Sequence, residues 1–171
     1  MTNHIHLLVE PIDKAENLAL LAGRQTRYVN KLEGRCGTLW EGRYKSSPVD
    51  RNEYLLACCH YVELNPVRAG IAVTHENYGW SSFRQRAGLA PMEWLDADPC
   101  YIGLGDNNRS RALRYREWVK SIIPKEECDL IRNAAQRGQL TGTQRFVGEI
   151  AAKVGRRIAA RGQGRPKGSV K

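Results

Sequence analysis

His4-Ile5-His6-Leu7-Leu8-Val9-Glu10-Pro11, near the start of the chain, is an apolar run closed by a proline, and it predicts a strand. Side chains two apart on a strand share a face, so His4 and His6 project together. Two imidazoles on one side are a compact way to hold a divalent metal, although two ordinary polar strand residues give the same pattern. With helices on either hand, this strand makes the expected class α+β.

Outward from it, Asp13 can cap a helix with Glu16 three residues on, and Leu18, Leu21, Ala22, Val29 and Leu32 keep helical spacing up to Gly34. Gly42 to Val49 suits an edge strand, with Pro48 near its end and Arg43, Lys45 and Ser47 on a face that can meet a phosphate backbone. A second helix begins at Asp50, with Glu53 following, and is expected to end about Asn65 because the residue before Pro66 is pushed out of the α region. Tyr61 and Asn65 are then neighbours on one face.

The stretch 87–109 carries Gly88, Pro91, Pro99, Gly103 and Gly105 and reads as a linker. It separates a first domain, 1–86, from a helical region, 110–158. There Ser110 can cap a helix through Lys120, Pro124 can start another ending at Gly138, and Phe146, Ile150 and Val154 mark a third. The last two are open to two readings, a helix-turn-helix that places Arg145 and Lys153 on DNA or a plain helical hairpin. The tail, 159–171, is expected to be disordered when free. Its Gly164-Arg165-Pro166-Lys167 segment is similar to an AT-hook, in which Arg165 and Lys167 enter a narrow A·T minor groove.

Charge agrees with a polyanionic partner. The 171 residues carry 27 Lys and Arg against 18 Asp and Glu, a net +9. From Asp129 to Lys171, ten Lys and Arg face two acids, Asp129 and Glu149, a local net of +8. A basic end of this kind is the footprint of nucleic-acid binding, and solvated basic tails share it. The five cysteines, Cys36, Cys58, Cys59, Cys100 and Cys128, have no Cys-x-x-Cys spacing and read as free thiols of a reducing cytosol. Neither an export signal nor a run of about 20 apolar residues is present, so a cytoplasmic protein without a membrane span is expected.

For chemistry, Tyr61 offers a phenol that needs a nearby cation, a base or an activated target to act as a nucleophile; most helical tyrosines simply pack. Asn65 has a structural use before Pro66, yet its amide oxygen can ligate magnesium or manganese. A zinc site of His4, His6 and a thiol of Cys58 or Cys59 is the least favoured arrangement, since adjacent cysteines on a helix diverge by about 100°.

The order of these pieces is more specific than any one of them. His4-Ile5-His6, then Gly37-Thr38-Leu39-Trp40-Glu41-Gly42-Arg43-Tyr44-Lys45, then Tyr61-Val62-Glu63-Leu64-Asn65-Pro66-Val67-Arg68-Ala69-Gly70, then Trp80-Ser81-Ser82-Phe83 and a Gly-Arg-Pro-Lys end resemble the REP-associated tyrosine transposases. These are relatives of the single-tyrosine insertion-sequence transposases of the HUH nuclease class. The resemblance implies a ferredoxin-like antiparallel sheet with packed helices, of which this chain supplies part. It implies magnesium or manganese held by His4, His6 and Asn65, and Tyr61 as the nucleophile that cuts and rejoins a DNA strand through a 5′-phosphotyrosine link during transposition.

Single-stranded or hairpin DNA is the implied substrate, and a homodimer is compatible with it. Arg43, Tyr44, Lys45 and Arg68 are the implied DNA contacts, joined by Trp40 as a stacking ring or a core residue. Members of that family begin with a strand, a helix and a further strand before the histidine strand, whereas here Met1 already belongs to the Met-x-Asn-His-x-His segment. A chain without that first half is expected either to cleave as its relatives do or to bind hairpin DNA without cleaving it.

Overall fold

The structure is a computed structural model that describes residues 3–10, 16–121 and 123–155. Asp13, Arg156, Arg157 and the tail residues Arg165 and Lys167 lie outside the described residues. Among the described residues seven α-helices follow one another: α1 (Glu16–Glu33), α2 (Leu55–Arg68), α3 (Phe83–Arg86), α4 (Pro99–Ile102), α5 (Asn108–Val119), α6 (Lys125–Arg137) and α7 (Gln144–Val154), with a 3-10 turn at His75–Asn77.

The expected antiparallel sheet is not formed, and the α+β assignment gives way to a helical architecture. Residues 4–10 form neither helix nor strand, no ladder hydrogen bonds them to a neighbour among the described residues, and Ile5, Leu7 and Val9 are exposed. The segment 42–49 makes one parallel bridge, Val49 with Thr141. Alternation favours an extended backbone, but a sheet needs paired strands and a covered face. Neither run has a paired strand among the described residues.

Helix α2 is the centre. It begins at Leu55 rather than Asp50, because Asp50 instead spends its carboxylate on a turn and a clasp. Its Oδ1 accepts from the Asn52 amide at 3.2 Å, its Oδ2 from the Thr143 hydroxyl at 3.3 Å. At the other end α2 runs past Asn65, with Pro66 inside its last turn. Proline removes one donor there, and the end is closed by other means: Gly70 takes φ +68°, its N–H bonds the Val67 carbonyl at 3.0 Å and the Ile71 N–H bonds the Pro66 carbonyl at 2.9 Å. This is the left-handed glycine cap that satisfies a helix's last carbonyls, and it extends the helix by three residues to Arg68.

Two apolar clusters flank α2. Ala57, Cys58 and Tyr61 pack with Cys128 and Ile131 of α6. Phe83, Ala87, Tyr101, Tyr115 and Val119 form the other cluster, from α3, α4 and α5. Residues 87–109 therefore hold buried Ala87 and Tyr101, and Asp98 caps α4 by accepting from the Tyr101 N–H at 2.8 Å.

Between the clusters runs a buried polar network. The Glu63 carboxylate accepts from the Tyr115 and Ser82 hydroxyls, each at 2.6 Å, and faces Arg86 at 3.5 Å; Arg86 in turn pairs with Asp98. Burial pushes the Glu63 carboxyl up, against the pull of these donors and of Arg86. Buried polar groups are tolerated because they are paired.

The C-terminal helices stand where their caps place them. Asn107 and Ser110 form a reciprocal capping box on α5, Gly138 ends α6 at φ +63°, and the Thr143 hydroxyl accepts from the Phe146 N–H to start α7. Gly138 to Thr143 return to the segment before α2: Asp50 N–H bonds Thr141 O at 2.7 Å, Thr141 N–H bonds Pro48 O at 2.9 Å and the Ser47 hydroxyl donates to Gln139 O at 2.6 Å. No helix among the described residues is long and apolar enough to cross a membrane.

Candidate active site on the second helix

A helix turns about 100° per residue, so residues four and seven apart form one stripe. Tyr61, Asn65 and Arg68 are such a stripe on α2, and the passage of the helix through Pro66 is what puts Arg68 on it. The Arg68 guanidinium carbon lies 5.5 Å from the centre of the Tyr61 ring, within cation–π range. Tyr61 is buried, while Arg68 reaches it from the surface.

Residues 4–10 bring the histidines to the same place. The His4 and His6 rings are 5.0 Å apart, edge to face, and the His6 ring is 6.5 Å from that of Tyr61. Crowding around its ring lowers the His6 pKa below the ordinary imidazole value, and His4 lowers it further, so the neutral ring offers one nitrogen as an acceptor or ligand. His4 Nδ1 lies 2.7 Å from the Asn3 side-chain oxygen.

The far side of the phenol belongs to α6. The nearby Tyr61 phenol is the main influence on Arg132 and raises its guanidinium pKa. The sequence reading missed Arg132. Its signal is present in the spacing of Cys128 and Ile131, which turn one stripe of α6 toward α2, but nothing in the sequence says which helix that stripe meets.

Asn65 holds a second mark of a site: its amide nitrogen is sealed from solvent with no hydrogen-bond partner. Two imidazoles sharing one ion at metal–nitrogen distances of about 2.0–2.1 Å have ring centres roughly 4.5–5 Å apart. The 5.0 Å pair at His4 and His6 fits two ligands of one divalent cation, whereas the sealed atom of Asn65 is the amide nitrogen, a donor that does not ligate; the amide oxygen is the atom that could. The thiols do not fit one. Cys58 and Cys59 are buried and burial pushes both pKa values up to about 12, so they keep their protons. No group of three His, Cys, Asp or Glu side chains among the described residues is placed to hold a metal.

The remaining expected DNA contacts lie elsewhere. Arg43 and Lys45 are exposed, with the Arg43 guanidinium 5.5 Å from the Tyr44 ring. Trp40 is half-buried, and its indole N–H donates to Ala22 O of α1 at 3.2 Å. On α7, Arg145 faces Glu149 at 3.6 Å and Lys153 is exposed. No ion pair or ring contact joins Arg43, Lys45, Arg145 or Lys153 to Tyr61 among the described residues.

Comparison of the chain with protein-family models, with curated proteins and with solved structures found no match.

Proposed function

We propose that this chain cuts and rejoins single-stranded or hairpin DNA through Tyr61, as a relative of the REP-associated tyrosine transposases. One observation carries the reading. Side chains more than fifty positions apart in sequence meet here: the His6 ring stands 6.5 Å from that of Tyr61, His4 lies 5.0 Å from His6, and the guanidinium groups of Arg68 and Arg132 stand beside the same phenol.

In the reaction, the Tyr61 oxygen attacks the phosphorus of the strand, the bond to the 3′ oxygen breaks, and a 5′-phosphotyrosine forms with release of a 3′-hydroxyl. The phenol gives up its proton and the departing oxygen takes one up. The diester bond is conserved, so a 3′-hydroxyl can attack the link and rejoin the strand without ATP. Arg132 and Arg68 stand beside the Tyr61 phenol and can hold a phosphate there. His4, His6 and Asn65 would hold magnesium or manganese, which when bound draws electron density from a phosphate oxygen. Arg43, Tyr44, Lys45, Arg145, Lys153, Arg165 and Lys167 belong to this reading as contacts along the DNA.

A second reading, hairpin binding without cleavage, is favoured by the position of His4 and His6 on an exposed segment with no strand neighbour among the described residues. The test is denaturing-gel analysis of labelled hairpin DNA incubated with the chain and manganese. A covalent protein–DNA band absent from Tyr61→Phe is the expected result. Retardation of the hairpin by both proteins with no covalent band from either would establish the second reading.

A further inference from the structure

One turn of α2 faces away from Tyr61. His60 and Leu64 line an open cleft of about 670 Å³ between α2, α5 and the 3-10 turn at His75–Asn77, a volume within the range of small-ligand sites. His60 is 2 % exposed, and its Nδ1 has no hydrogen-bond partner. The His75 ring stands 6.0 Å away, and its Nε2 is likewise unpartnered. A buried polar atom without a partner costs free energy comparable to a lost hydrogen bond, so two in one cleft ask for a ligand that supplies both.

The surroundings define that ligand. Burial lowers both pKa values, His60's to about 4, so both imidazoles are neutral and each offers one donor and one acceptor. They are backed by flat rings, Phe83 5.1 Å from His75 and Trp118 5.1 Å from His60. Arg116 and Lys120 line the cleft together with Glu76 and Glu117, and Lys120 pairs with Glu117 at 2.7 Å. Neutral hydrogen-bonding groups on an apolar aromatic floor suit a planar heterocycle, and a phosphate attached to it would meet Arg116 and take Lys120 from its exposed pair with Glu117.

We infer that this cleft binds a single unstacked nucleotide, its base against His60 and His75 and its phosphate toward Arg116 and Lys120. The site goes beyond the tyrosine chemistry and does not depend on it: it uses another face of α2 and needs no strand cleavage. The same chemistry is offered by a free nucleotide and by one nucleotide of a DNA strand.

Isothermal titration of the full chain with each of the four deoxynucleoside 5′-monophosphates, and with a single-stranded tetranucleotide carrying or lacking one abasic position, tests this. Saturable binding at one per chain is expected for a monophosphate or for the tetranucleotide. His75→Ala should weaken it roughly tenfold, the worth of one buried hydrogen bond. Lys120→Glu, at an exposed position that cannot disturb the core, should weaken the monophosphate several-fold and the unphosphorylated nucleoside little. Weakening by the abasic position assigns the ligand to a strand, and binding of the monophosphate alone assigns it to a free nucleotide. No saturable binding of any probe at millimolar concentration, or binding unchanged in both variants, overturns the site. Because the readout is heat of binding, a chain that makes no covalent adduct still answers.

Discussion

At the scale of single residues, α2 works by placing adjacent side chains in unlike surroundings. His60 and Tyr61 are neighbours in sequence, yet one faces the cleft and the other the imidazole and guanidinium cluster. Burial, then the nearby His75, lowers the His60 pKa from 6.5 to about 4. The folded chain therefore binds fewer protons than the unfolded one between these values, and stability present above pH 6.5 is lost as pH falls toward 4, by about 3 kcal/mol. Glu63, raised by burial, works in the opposite direction. Urea unfolding at pH 7 and pH 4 of wild type and His60→Leu separates them: the variant should lose about 3 kcal/mol less on acidification. An equal loss in both would mean that His60 is not held neutral by the fold.

At the scale of elements, local rules and long-range pairing contributed differently. Helices α5, α6 and α7 were legible because four-residue spacing and Gly138 are local signals, although α5 starts at Asn108 with Asn107 as its cap, so that Ser110, read as the cap, is the third helical residue. The strands read from 4–10 and 42–49 did not form, because apolar alternation favours an extended backbone but does not specify a neighbour. The end of α2 was misplaced at Asn65 for a related reason: the penalty before Pro66 is local, while the closure at Gly70 and Ile71 that outweighs it uses five further residues. At the candidate site, His4, His6, Tyr61, Asn65 and Arg68 were named from their residue types and family pattern, whereas Arg132 needed the pairing of α6 with α2.

That pairing is held by the turn before α7. A methyl group at Gly142 would lie 2.8 Å from the Asp50 Cβ and closer still to the Phe146 ring. Gly142→Ala should therefore open the clasp between 47–50 and 139–143 and cost about 1–3 kcal/mol. A fall of several degrees in thermal midpoint checks it; an unchanged midpoint would show that Phe146 swings aside at no cost.

For the whole molecule, charge and cohesion are separate matters. The six cations from Arg156 to Lys171 add charge in sequence next to a helical body built on α2. If they carry the DNA contact, deleting 156–171 should reduce the dependence of log affinity on log salt for a single strand by up to about 4, at roughly 0.7 per phosphate neutralised. A slope that does not change would assign binding to Arg43, Lys45, Arg145 and Lys153.

The five free thiols also serve as a clock. Cys36 is exposed and Cys100 half-buried, whereas Cys58, Cys59 and Cys128 sit inside, against or upon the helix that carries Tyr61. A thiol reagent should consume Cys36 at once, and Cys58 and Cys128 only when α2 and α6 part, since a buried sulfur does not react. Peptide-resolved labelling over time then gives the rate at which the two helices separate, and one shared rate for Cys58 and Cys128 would mean that the tyrosine and its arginine from α6 come apart as a single event.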